Sequence, residues 1–360
     1  MQSIGVPRLT VALAGEYAAA YAARIGRSVP GAMVDSLTYL PFFCHPNPGR
    51  PAAPMTWGNG ALCVDLGPDD AETWANFVAH GDPGEDVDEA AAAAQEWRLP
   101  VTPFRLPRQV PPDGLAAVRD VSVAADHSPI SLEGVRVLDL TSMWAGPLCT
   151  GLLAGAGATV IKIEPMNRPD GLRYGDGDHG LGLSPMFRAL NSRKVSVPWN
   201  LEHSEDREAF NREVKRCDLV VTSLSPRAID NLTITHGDLK EVNPSLRTLA
   251  VTAFAAGSPE ADWIAYGPGV HAALGLGWDG ARHHAPALSY PDPLAGLMAA
   301  SVAVDQLTGI AGADERVSLA EAAAPLAAEK PPFELTDTAV LNEMWRGQPS
   351  DGLRHLLELS

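Results

Sequence analysis

The stretch Gly134–Pro165, GVRVLDLTSMWAGPLCTGLLAGAGATVIKIEP, decides the fold. Val135–Leu140 reads as a short apolar strand and Ala145-Gly146-Pro147 as a turn. Leu148–Ala154 reads as a helix that Gly155 and Gly157 end, and Thr159–Ile163 as a second buried strand. Pro147 suits the first turn of a helix, where a missing N–H leaves no intrahelical bond unmade. A strand, a tight turn and a helix N-terminus turn free backbone N–H groups toward a phosphate-bearing ligand. Periodicity alone fits any parallel α/β unit.

Outward from this unit the alternation continues. Asp218–Ser223 and Thr248–Phe254 are strand-like, and Ser204–Lys215 is a charged surface helix. Strands alternating with helices predict a parallel, doubly wound sheet. Residues 1–130 have another texture. Leu9–Ile25 is an Ala-rich helix, and Pro41–Met55 is a loop-rich stretch with five prolines. Ala61–Leu66 is a strand, Ala71–Ala79 a helix behind the acidic cap Asp69-Asp70, and Asp88–Trp97 a helix closed by Leu99–Pro103. The polar passage Val110–Pro129 marks a boundary. The expected organisation is a small α+β domain over 1–130, a large Rossmann-like domain over 131–330 and a C-terminal tail over 331–360.

A chain of 360 residues holds one large domain or two, and 46% hydrophobic content supplies a sizeable core. The formal net charge of −17 argues against nucleic acid or an anionic membrane as partner. Residues 131–200 escape that acidity; Lys162, Arg168, Arg173, Arg188, Arg193 and Lys194 are cations able to meet phosphates or to remain solvated. Cys44, Cys63, Cys149 and Cys217 lie far apart without CxxC spacing. That pattern suits reduced thiols of a cytoplasmic protein, not a disulfide framework or a zinc site. The start MQSIGVPRLTVALAGEY lacks a signal-peptide pattern, and no apolar run is long enough to span a bilayer. Metalloprotease, P-loop and nucleophile-elbow motifs are absent, so no metal site is expected.

An ordered series of motifs adds specificity. Val137–Leu140, Ala145–Pro147, Leu152–Ala158 and Val160–Glu164 are followed by Leu190–Lys194, Asp218–Thr222 with Pro226, Asn243–Leu246 and Tyr290–Gly296. This series resembles the family III CoA-transferases (the CaiB/BaiF group) over roughly residues 132–325, in the family's own order. The resemblance implies an interlocked homodimer that uses a coenzyme A thioester as substrate and holds no permanent cofactor. It also implies a covalent nucleophile at Asp292, an aspartate followed closely by Ala295-Gly296. The residues themselves allow two readings. Asp292 precedes Pro293 and the apolar run Leu294–Leu307, so it is either a plain N-cap or a carboxylate kept ionised by N–H donors and the helix dipole. Covalent acyl transfer to an incoming carboxylic acid needs the second.

By the same resemblance, Met143, Trp144 and Ala145 match the family's loop around pantetheine and nucleotide. Leu190, Asn191 and Lys194 match its adenine and phosphate contacts, and Arg173 stands where an arginine follows a Gly-Asp pair. Here that pair is Asp170-Gly171, a departure, as are Pro165-Met166 and Ser223–Pro226. Gly275, Gly277 and Gly280 occupy the place of the family's glycine loop, an oxyanion-hole candidate or a simple turn at Asp279-Gly280. His271, His283 and His284 either line the pocket or belong to loops. A racemase or isomerase of the same fold would want a histidine where Tyr266 stands. A coenzyme A-binding pseudoenzyme is the other alternative. Asn59–Leu66, Trp74 and Leu99–Pro103 resemble the family's small domain, which normally comes late, so the order suggests a circular permutation. Arg8–Ala23 also resembles Arg316–Ala328.

Overall fold

Six parallel strands, side by side in the order Asp314–Ser318, Arg247–Thr252, Leu219–Thr222, Arg136–Leu140, Thr159–Ile163 and Val195–Val197, form the sheet on which everything else is built. The computed structural model describes residues 6–26, 54–67, 70–81, 83–110, 129–173, 183–286, 289–327 and 335–336. The chain begins with β1 (Val6–Pro7) and α1 (Arg8–Arg24). Next come β2 (Pro54–Trp57), β3 (Gly60–Val64), α2 (Ala71–His80), α3 (Val87–Glu96) and β4 (Val101–Pro103). The large unit opens with β5 (Arg136–Leu140), α4 (Ala145–Gly155), β6 (Thr159–Ile163), α5 (Pro185–Asn191) and β7 (Val195–Val197). It continues through α6 (Ser204–Val214), β8 (Leu219–Thr222), α7 (Pro226–Asn231), α8 (His236–Val242) and β9 (Arg247–Thr252). It closes with α9 (Gly267–Ala273), α10 (Pro291–Thr308), β10 (Asp314–Ser318), α11 (Leu319–Ala327) and β11 (Leu335–Thr336).

Successive strands run outward from β5 to β6 and β7, then restart on its other side at β8. This is the reversal at which open α/β sheets bind ligands, beyond the carboxyl ends of the strands. The side chains alternate as a strand requires. Val137, Leu219, Val221, Leu249 and Val251 enter the core shared with α4 and α10, whereas Leu138, Leu140 and Val220 enter a second core with Phe210, Val214 and Leu239. Both faces are covered, as all-parallel sheets demand.

The expected mixed α/β architecture is present, with a separate antiparallel sheet β2-β3-β4. Boundaries differ in instructive ways. α4 starts at Ala145, so Pro147 is its third residue, still within the turn whose N–H groups lack partners. Asp70 does not cap α2 with its side chain; its carboxylate turns back to accept the Gly67 N–H at 2.6 Å. Asp69 lies outside the described residues, as do most of Pro41–Met55, Val110–Pro129 and the 331–360 tail. Of that tail, Leu335–Thr336 pairs antiparallel with Val6–Pro7.

α1 packs into the large core, although the sequence grouped it with residues 1–130. Tyr21 donates to the Leu152 carbonyl at 2.8 Å and Tyr17 to the Ala322 carbonyl at 3.2 Å. Arg24 bridges the carboxylate of Asp305 on α10 at 2.7 Å and 3.0 Å. The three-stranded unit docks separately, on α9 and the chain before it. Gln95 donates to the Val101 and Ile264 carbonyls and accepts the Ile264 N–H. Thr102 donates to the Gly269 carbonyl at 3.0 Å, and Arg105 pairs with Glu260 at 2.8 Å.

The Arg24–Asp305 pair gives a direct test of α1 docking. Removing one partner of a buried pair leaves the other uncompensated, so Arg24→Met is expected to cost about 3 kcal/mol. Urea unfolding followed by circular dichroism measures it; a loss near zero would mean that α1 contributes through apolar contacts alone.

Candidate active site

The loop after β5 and the start of α10 meet at the reversal point of the sheet. Beneath the loop lies a network of buried charges. The Asp139 carboxylate, fully buried on β5, accepts the Thr141 N–H and hydroxyl and the Thr150 hydroxyl. The Lys194 ammonium, equally buried, reaches it at 2.9 Å. Lys194 also donates to Thr150 Oγ1, the Pro147 carbonyl and Asn191 Oδ1. Burial alone would raise the Asp139 carboxyl, but Lys194 and Lys162 hold it down at about 2. Burial lowers Lys194 to about 8, against the opposing pull of Asp139.

Lys162 on β6 donates to the Thr141 carbonyl at 2.7 Å and pairs with Asp170 at 3.0 Å. Asp139 and Asp170 raise its ammonium despite its burial. The other oxygen of Asp170 accepts the N–H groups of Met143 and Leu172. Glu164 accepts the Asp170 N–H and a two-pronged bond from Arg173, both prongs 2.6 Å. The Arg173 guanidinium also lies 4.3 Å from the centre of the Phe187 ring.

These contacts correct part of the expected phosphate chemistry. Lys162 and Lys194 are not free surface cations; their donors are committed inside the domain. Asn191 is likewise internal, donating to the Phe187 carbonyl at 2.9 Å, and Leu190 is core. Met143 and Trp144 are half-buried, and Met143 takes a left-handed φ of 66°. Trp144 is the N-cap of α4 and offers no side-chain cap.

Asp292 is the second residue of α10, not its N-cap, which is Tyr290. Ser289 donates its hydroxyl to the Asp292 carboxylate at 2.5 Å. Gly267, first residue of α9, lies so close that a Cβ there would come within 2.0 Å of both Asp292 Oδ2 and Ser289 Oγ. Only glycine fits. Burial raises the Asp292 carboxyl to about 7, opposed by the Ser289 hydroxyl and by N–H donors that include Gly267, and assisted by the charge of Asp65. The expectation that N–H donors and the helix dipole keep it well ionised is therefore corrected. Desolvation outweighs them. Four residues on, a Cβ at Gly296 would meet the Ala145 carbonyl at 2.7 Å. The Ala295-Gly296 pair thus brings the Asp292 helix against the loop after β5.

The glycine loop is a hairpin. Trp278 bridges His283, and Asp279 accepts the Ala281 and Arg282 N–H groups, leaving Gly280 exposed at the tip. Gly275, buried at φ 70°, faces Leu106 and Pro107; Gly277 lies between Phe104 and the His284 carbonyl. His271 is buried and shares a 2.6 Å hydrogen bond with the Tyr290 hydroxyl. Burial, then the nearby His284 charge, lowers it to about 3, so it is neutral at physiological pH. Its ring lies 5.4 Å from Tyr290 and 6.2 Å from His284. The residues that sequence reasoning missed are Ser289, Gly267 and Asp65. Asp65 did leave a signal, an acidic residue inside the apolar run Ala61–Leu66.

Among the described residues, no group of three His, Cys, Asp or Glu side chains could hold a metal ion, and no helix is long and apolar enough to cross a membrane. A sequence model described as CoA-transferase family III matches residues 132–350. A formyl-CoA:oxalate CoA-transferase of Escherichia coli O6:H1 is 34% identical over 154 residues, covering 41% of this chain and 37% of that protein. The namesake from Shigella boydii serotype 18 has the same identity and coverage. The chain therefore spans under half the length of these curated relatives. A CAIB/BAIF family protein from Brucella suis has a similar fold, with a TM-score of 0.50 at 23% identity over 57% of this chain and 60% of that one.

The Asp292 carboxyl also makes a prediction about stability. Its folded-state pKa, about 7, lies above the ordinary aspartate value of 3.8, so the folded chain binds the proton more tightly than the unfolded chain. That contribution is present below about pH 4 and is lost as pH rises through 7. Asp292→Asn removes the burden of a buried charge, so it should stabilise the protein at pH 8 by up to about 4 kcal/mol and little at pH 4. Thermal unfolding at the two pH values reads the difference; equal effects at both would refute the raised carboxyl.

Proposed function

The chain belongs to CoA-transferase family III, and from that premise we propose that it moves coenzyme A between an acyl-CoA and a carboxylic acid, with Asp292 as the covalent nucleophile. The observation that carries the proposal is the setting of Asp292. It is buried, donated to by Ser289 and Gly267, and carried on a helix that abuts the loop after β5 through Gly296. A carboxyl near 7 is about half ionised at neutral pH, and its desolvated carboxylate is more reactive than one in water.

The reaction balances without metal, redox partner or net proton transfer. A carboxylate oxygen of Asp292 attacks the thioester carbonyl, the C–S bond breaks, and coenzyme A thiolate leaves a mixed anhydride. The thiolate attacks the Asp292 carbonyl carbon and expels the first acid as its carboxylate, leaving an aspartyl-CoA thioester. The incoming carboxylate attacks that thioester and releases thiolate again. Thiolate then attacks the acyl carbonyl of the second anhydride, giving the new acyl-CoA and restoring Asp292. Each tetrahedral oxyanion needs N–H donors, and the same reading gives that role to backbone N–H groups near Gly275, Gly277 and Gly280.

Met143, Trp144 and Ala145 are the proposed coenzyme A contacts at the loop after β5. The same reading assigns Leu190, Asn191, Lys194 and Arg173 to the coenzyme A site, the first three with buried side chains and Arg173 half-buried. A homodimer and a cytoplasmic setting belong to the same reading, as the family resemblance implies.

Incubation with acyl-CoA followed by hydroxylamine or borohydride trapping tests the chemistry. The native protein should yield a modified Asp292, located by peptide mass spectrometry, and Asp292→Ala should yield none. Trapping that persists in the variant would refute the nucleophile; coenzyme A binding with no trapping by any donor would favour a pseudoenzyme. The pH profile adds a second check. The acid limb of kcat/KM should fall near pH 7, and Ser289→Ala should move it upward, because the hydroxyl that favours the carboxylate is gone. A limb that stays put or moves downward would exclude Ser289 from control of Asp292.

A further inference from the structure

Asp170-Gly171 reverses the residue order that the resemblance leads one to expect, and the structure gives both residues the same neighbour. Asp170 accepts the Met143 N–H at 3.0 Å, while a Cβ at Gly171 would meet the Met143 sulfur at 2.8 Å. One holds the backbone of Met143, and the other leaves room for its side chain. Met143 needs holding. Its φ of 66° lies in the left-handed region, where a residue with a Cβ is strained. Arg98 and Thr233 are the other described non-glycine residues with positive φ, and neither lies in the loop after β5.

The hold comes from inside the domain. Asp170 is itself buried, and its second oxygen pairs with Lys162, whose side chain shows 0% exposure. Lys162 also donates to the Thr141 carbonyl, so it grips the start of the loop while Asp170 grips the middle. The Asp170 N–H is taken in turn by Glu164. The loop conformation is thereby written into two strand-end residues and a turn, not into the loop's own propensities.

We propose that Asp170, anchored by Lys162, is a positioning residue that holds Met143 in its left-handed conformation and so shapes the coenzyme A-binding loop 143–145. The proposal rests on the reading that this loop contacts coenzyme A. Loss of the acceptor frees Met143 to relax to negative φ, which re-aims Trp144 and the first N–H groups of α4. Glycine at 143 would adopt the positive φ without being held.

Hydrogen–deuterium exchange over residues 141–148 and calorimetric titration with coenzyme A test this together. Asp170→Ala should speed exchange in that segment about tenfold and weaken coenzyme A binding about tenfold. In a Met143→Gly background, adding Asp170→Ala should weaken coenzyme A binding by less than about threefold, against about tenfold with methionine at 143, which no general loss of stability would do. Asp170→Asn keeps an oxygen acceptor for the Met143 N–H and leaves Lys162 its Thr141 carbonyl and the charge of Asp139, so its exchange should stay within about threefold of native. If Asp170→Ala does not fold, Asp170→Asn decides: about tenfold faster exchange there overturns the proposal. Unchanged exchange in a folded Asp170→Ala, or a full, about tenfold further loss of binding from Asp170→Ala in the Met143→Gly background, also overturns it. If the native protein binds no coenzyme A while the exchange results hold, the functional reading fails and the positioning role stands.

Discussion

The Asp139 carboxylate, buried between the ammonium groups of Lys194 and Lys162, is the constraint on which the rest of the structure depends. An ionised carboxylate alone in such a place would suffer a desolvation penalty of several kcal/mol, on the order given for buried ions generally. Here the paired charges and hydroxyls satisfy it. The consequence is topological. Asp139 belongs to β5, Lys162 to β6, Thr150 to α4, and Lys194 to the turn between α5 and β7. One carboxylate therefore ties four parts of the sheet's first half together, beside the carboxyl ends of β5 and β6. Removing Asp139 would leave the buried Lys194 ammonium without its carboxylate partner.

A second constraint acts through absence of side chain. α10 is buried nearly all round, with α4, α1 and α11 against it, and it is built from alanine and glycine among larger apolar residues. Gly296 lets the helix approach the Ala145 carbonyl, and Gly146 lets α4 approach Thr141, where a Cβ would meet the threonine side chain at 2.4 Å. Gly267 does the same at Asp292. The close approaches form a chain of contacts from the loop after β5 to α10 and its carboxylate. Polar ties set the loop, and missing methyl groups set the distance between loop and carboxylate.

The elements of this chain were legible because burial on both faces writes long apolar strands into the sequence. Thr159–Ile163 emerges at the expected bounds, and Val135–Leu140 differs by one residue. The alanine-rich α1 was legible as a helix but not as a neighbour of α10, since Tyr17, Tyr21 and Arg24 find their partners more than a hundred residues away. The same limit applies to charge. Lys162 and Lys194 look like ordinary cations in sequence, and nothing local reveals that Asp139 and Asp170 will neutralise them. Asp292 was legible as a helix-start carboxylate; its raised proton affinity was not. Desolvation is a property of everything that surrounds a group, and Ser289, Gly267 and Asp65 arrive from three directions.

Asp65 is the most telling of these, because it comes from the three-stranded unit, outside the stretch that matches the family. Its charge bears on Asp292 because β4 docks on α9 through Thr102 and Gly269, and α9 begins at Gly267 beside the carboxylate. Contacts of this kind are indifferent to chain order. Joining two docked units by a loop costs conformational entropy that grows only with the logarithm of loop length, about 0.6 kcal/mol for each doubling. A unit docked in this way can precede or follow its partner along the chain and meet it equally well. Arg105 with Glu260, and Gln95 with Ile264, make the docking here.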